Sequence, residues 1–121
     1  MRGFLDRIRN KGAPATPLEA DQLVLRQLES RGADLTQPRH VIHYLYFAGE
    51  ADARSAAEAI EGSDWEATVS PPDGTIAEWS VRAEGYRVVS ATTVEAFRAW
   101  FEQIAGESHG EYDGWEAAAK P

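Results

Sequence analysis

The residues with the most chemical potential lie near the C-terminus, where Gly110 to Glu116 reads GEYDGWE. Glu111, Asp113 and Glu116 there surround Tyr112 and Trp115. Two carboxylates facing one cleft can perform acid–base or glycosidic chemistry, provided one of them has a raised pKa. The stretch supplies no cleft of its own, and 20 acidic residues in 121 make such pairs common. Two readings without catalysis fit better. In one, Tyr112 and Trp115 anchor a protein partner while Asp113 and Glu116 contact it. In the other, the two aromatics pack a last strand onto the core and Asp113-Gly114 makes a tight turn.

A second aromatic set lies in RHVIHYLYF, where Ile42, Tyr44 and Tyr46 share one face of an expected strand. Such a platform can stack bases, but the basic-aromatic signature of RNA-recognition domains is absent. Those side chains are expected beneath the N-terminal helix or a partner. The partner-binding set is therefore Glu111, Tyr112, Asp113, Trp115, Glu116, Tyr44 and Tyr46.

Other chemistries find no footing. His40 and His43 are three apart on a strand and point to opposite faces, and His109 stands far off in sequence, so no metal site is assigned. Neither a nucleophile elbow nor a phosphate-binding glycine loop is present. The chain has no cysteine, hence no thiolate ligand or disulfide. No catalytic residue, metal or cofactor is expected.

These residues must be positioned by one core, which 43% hydrophobic content and four tryptophans can build. Residues 1–15 form a basic segment with one or two amphipathic turns and a GAPATP linker. Residues 16–117 form the domain and 118–121 a tail. Thr16-Pro17-Leu18-Glu19 opens a helix whose Leu18, Val24, Leu25 and Leu28 share one side, with Gly32 as its stop. The Arg39–Phe47 run is a central strand, and residues 50–61 a helix with small inward alanines. Trp65, Ala67 and Val69, then Ala77, Trp79, Val81 and Ala83, alternate as the two arms of a hairpin, with a bulge at Gly85. A last helix opens at Thr92 with Glu95, carries Val94, Phe97, Trp100, Phe101 and Ile104, and stops at Gly106. A short edge strand follows around Tyr112 to Trp115. The succession is an α+β fold: a ferredoxin-like βαββαβ antiparallel sheet with helices on one face and an extra N-terminal helix.

The formal net charge is −8. Arg2, Arg7, Arg9 and Lys11 all precede Gly12, so everything after is more acidic than the total implies. Such a surface repels phosphate backbones and favours a basic protein partner over direct nucleic-acid binding. No apolar run reaches the roughly 20 residues of a membrane span. With no continuous apolar segment at the N-terminus, a cytoplasmic location is expected.

The run from Asp21 to Phe47 (DQLVLRQLESRGADLTQPRHVIHYLYF), the WSVRA strand from Trp79 and above all GEYDGWE resemble the ribonuclease E inhibitor B family over roughly residues 19–116. The resemblance implies an α+β fold and a non-catalytic activity. A small acidic protein binds the bacterial endoribonuclease and changes which transcripts it cuts. One departure is the start: the best-studied members carry a more acidic N-terminal region, whereas this chain opens with a basic dozen residues. The expected function is thus a protein-binding regulator of RNA degradation. A small-molecule-binding or catalytic domain, and a homodimeric interaction module, stay open as alternatives.

Overall fold

The first helix begins where the sequence says it must. Thr16 is extended, its hydroxyl accepts from the Glu19 amide at 3.1 Å, and Pro17 takes the first helical position. The computed structural model describes residues 16–120 together with the backbone of Arg7–Arg9. Its elements are β1 (Arg7–Arg9), α1 (Pro17–Ser30), β2 (Arg39–Phe47), α2 (Glu50–Glu61), β3 (Glu66–Ser70), β4 (Trp79–Arg87), α3 (Ala91–Glu107) and β5 (Glu111–Ala118). After α1 the succession is βαββαβ. The sheet order is β1-β5-β2-β4-β3, and every neighbouring pair among the described residues is antiparallel.

The three helices of the described residues pack on one face of this sheet. Val24, Leu25 and Leu28 of α1 meet Val41, Val94, Trp115 and Ala117. Ala53, Ala56, Ala57 and Ile60 of α2 and Phe101, Ile104 and Ala105 of α3 meet Leu45, Phe47, Val81 and Ala83. The small alanines let α2 approach the strands closely. The helix face of β2 is therefore Val41, His43, Leu45 and Phe47, and the opposite face carries Ile42, Tyr44 and Tyr46.

Several sequence expectations are corrected. Arg7–Arg9 is a strand, not part of a helical turn; the GAPATP linker falls largely outside the described residues. That strand pairs with β5, so β5 is an inner strand and not an edge. Helix α1 lies on the face opposite Ile42, Tyr44 and Tyr46 and does not cover them. Leu18 continues the apolar stripe of α1 yet stays 54% exposed. Helix α3 is capped by Ser90, not Thr92. The Ser90 hydroxyl accepts from the Thr93 amide, and the Thr93 hydroxyl accepts from the Ser90 amide at 2.8 Å. The helix runs through Gly106 to Glu107. Gly85 sits in regular register opposite Val41, and its lack of a side chain makes room for Trp65, whose ring would lie 3.0 Å from a Cβ there.

Gly110 locks the turn from α3 into β5. A Cβ at this position would stand 2.3 Å from Cδ1 of Phe47 and 2.5 Å from the Tyr46 carbonyl oxygen. Phe47 is fully buried and the carbonyl belongs to the central strand, so neither can yield cheaply. Gly110→Ala is expected to lower stability by about 1–3 kcal/mol, the usual range for overpacking. Urea unfolding should show a lower midpoint at unchanged slope.

Candidate partner-binding surface

The seven residues singled out from the sequence are sorted by the pleat of β2 and β5. Leu45 pairs with Tyr112 and Tyr44 with Gly114, which leaves Asp113 as one extra residue in β5. Gly114 has a φ of +106°, a conformation open to glycine. The tight turn expected at Asp113-Gly114 is thus a bulge inside a strand. It has a geometric consequence. Tyr112 and Trp115 are three apart and would face opposite sides of a regular strand, but the extra residue turns both toward the helices. Glu111 and Glu116 both fall on the helix-free face, opposite Tyr46 and Ile42.

The inward pair is tied into the core. The Trp115 side chain is 1% exposed, and its indole N–H donates to Oδ1 of Asp21 at 2.9 Å. Asp21 on α1 also receives two hydrogen bonds from Arg98 on α3, Nε to Oδ2 and Nη2 to Oδ1, both at 2.8 Å. This bidentate geometry holds the guanidinium firmly protonated. The same guanidinium carbon lies 5.1 Å from the centre of the Tyr112 ring. Tyr112 stacks on Phe101, and its hydroxyl is 2.7 Å from Nδ1 of His43. Burial, with Arg98 and Arg87 nearby, pushes the His43 pKa well below its ordinary value. Sequence reasoning passed over Asp21 and Arg98. The available signal was an acid and a base standing on the apolar stripes of their helices, each one turn from a buried aliphatic residue (Leu25 and Val94).

On the helix-free face the Tyr44 hydroxyl donates to the Glu116 carboxylate, and both residues are buried. Arg9 of β1 occupies the register position opposite Glu116. Trp115, Glu116 and Tyr44 are thus interior residues, and their side chains cannot serve as the exposed anchors and acidic contact expected from the sequence. Glu111 and Asp113 are exposed, and Tyr46 and Tyr112 half-buried. Beside Tyr46, a concavity of about 200 Å³ is lined by Tyr44, Pro71, Asp73, Ile76 and Arg82 among others. Asp73 shapes its rim by accepting from the Thr75 and Ile76 amides at 2.7 and 2.8 Å. Further along, Tyr86 is 65% exposed with its ring tilted against His40. Glu84 pairs with His40 and Arg82, and Glu66 stands directly across from it.

This face offers contact chemistry: a tyrosine, a shallow hollow and unburied carboxylates. Among the described residues no group of histidines, aspartates or glutamates is placed to hold a metal ion. Residues 18–117 match the family described as regulator of ribonuclease activity B. The chain belongs to that family. No curated protein matches it. Membership implies a role in regulating ribonuclease activity and a protein partner. Among the described residues no helix is long and apolar enough to cross a membrane.

Proposed function

We propose that this family member is a non-catalytic inhibitor of an endoribonuclease of the E type, acting in the bacterial cytoplasm by binding the enzyme itself. The family match over residues 18–117 carries this reading. The helix-free face supports it, with Glu111, Asp113 and Tyr46 as the contacts and Tyr44 and Glu116 as the buried frame beneath them. Tyr112 and Trp115 contribute by fixing the course of β5. Charge supports it too. After Gly12, eight basic residues stand against 19 acidic ones, which suits a nuclease's basic RNA-binding stretch and disfavours RNA.

The test uses purified ribonuclease E and a labelled transcript. The protein is expected to slow cleavage and to bind with an affinity that falls as salt rises. Glu111→Lys with Asp113→Lys, two exposed changes, should weaken binding about tenfold and flatten the salt dependence. Cleavage unaffected by saturating protein would reject the inhibitor reading. Intact binding by the double variant would reject only the surface.

A further inference from the structure

The apolar stripe of α1 runs further than the core beneath it. Val24, Leu25 and Leu28 are buried, whereas Leu18, two turns before Leu25, stays 54% exposed. Across from it stand the first turns of α3. Between the two helices lies a groove of about 440 Å³, lined by Leu18, Gln22, Leu25, Thr92, Val94 and Glu95 and floored by Asp21 and Arg98. That volume is in the range of built binding sites, roughly 300–1,000 Å³. The floor is electrically quiet, because Asp21 and Arg98 satisfy each other and Trp115 donates to the same carboxylate. The rim is not. Glu95 borders the groove and is exposed, and its carboxylate has no partner among the described residues.

We propose that this groove receives an amphipathic segment of the regulated ribonuclease. One or two large apolar side chains of the segment lie against Leu18, Leu25 and Val94, and a flanking lysine or arginine meets Glu95. The inference rests on the reading that the partner is a ribonuclease, and it adds a second contact, on the side of the sheet opposite Glu111 and Tyr46. A groove between two helices suits a third helix, whose ridges fit between theirs. The acidic rim argues against a phosphate-bearing ligand. It also argues against a second copy, since a chain of net charge −8 would bring its own carboxylates to this rim.

The test is binding of purified ribonuclease E to the intact protein and two variants. Leu18→Gln with Glu95→Lys changes two exposed positions and keeps good helix formers at both, so the fold should persist, as melting would show. Glu61→Lys, on the exposed side of α2, controls for overall charge. The groove variant is expected to bind about tenfold more weakly or worse, while the control stays near wild type. If wild type binds and the two variants behave alike, the groove assignment is overturned and the regulator reading stands. If wild type fails to bind, the regulator reading fails and the groove assignment falls with it.

Discussion

Asp21→Ala is expected to lower the unfolding free energy by about 3–5 kcal/mol, the penalty for breaking a buried ion pair from one side. Asp21 is 4% exposed and accepts from Nε and Nη2 of Arg98 and from the Trp115 indole. Removing its carboxylate strands a cation whose side chain is 15% exposed, beside an indole N–H with nothing to donate to. Glu102, at 3.3 Å from Nη1, answers none of the stranded donors. Since domains of this size are stable by about 5–15 kcal/mol, the loss takes a large part of the total. Asp21→Asn keeps an oxygen for the indole and should cost less, about 1–3 kcal/mol. Taking away both charges in Asp21→Leu with Arg98→Met should cost far less than the two single changes summed, because nothing charged is left buried. Urea unfolding followed by tryptophan fluorescence reads wild type and all five variants. A cost below about 1 kcal/mol for Asp21→Ala would mean water replaces the carboxylate and the network holds nothing.

The same network marks where the sequence stops being legible. Helix α1 was readable from Thr16, Pro17 and the spacing of Val24, Leu25 and Leu28, because capping and periodicity are local. Strand β2 was readable because both of its faces are apolar or aromatic, and the β3–β4 hairpin because its arms alternate. What local pattern cannot give is the partner of a lone polar group. The Asp21 carboxylate meets Arg98 and Trp115 only after the chain has folded across 77 and 94 positions. The α3 cap slipped from Thr92 to Ser90 because both are good capping residues, and the reciprocal bond to Thr93 decides between them. The addition of β1 beyond β5 rests on a pairing between opposite ends of the chain.

The terminal GEYDGWE shows the cost of reading contacts from residue type alone. Aromatic and acidic residues in one motif suggest a surface, but the bulge at Asp113 separates them by role. Tyr112 and Trp115 turn to the core, and the Glu116 carboxylate is taken by Tyr44. Only Glu111 and Asp113 remain exposed in the motif. A substitution at Trp115 or Glu116 that abolished partner binding would therefore report on folding first. Binding studies should begin from the exposed pair.

His43 should make the fold sensitive to mild acid. It is 1% exposed and stacked on Phe101 at 4.1 Å, with Trp65 and Phe97 edge-on. Nδ1 meets the Tyr112 hydroxyl, while Nε2 has no hydrogen-bond partner among the described residues. A proton added here would place a buried charge near Arg98 of α3 and Arg87 of β4, so the folded ring stays neutral well below its ordinary pKa. In the unfolded chain the same ring takes up a proton near pH 6.5. Stability is therefore fully present above that value. It is lost as pH falls from about 6.5 toward the depressed folded pKa, at about 1.4 kcal/mol per pH unit while the folded ring stays neutral. His43→Phe keeps an aromatic ring in place and removes this titration. Its stability, measured by urea unfolding at pH 8, 6.5 and 5.5, should gain on wild type by that same slope below pH 6.5. His40 and His109 are present in both proteins, so their contributions cancel in the difference. Parallel profiles for the two proteins would mean that His43 is protonated in the fold, and that water reaches Nε2.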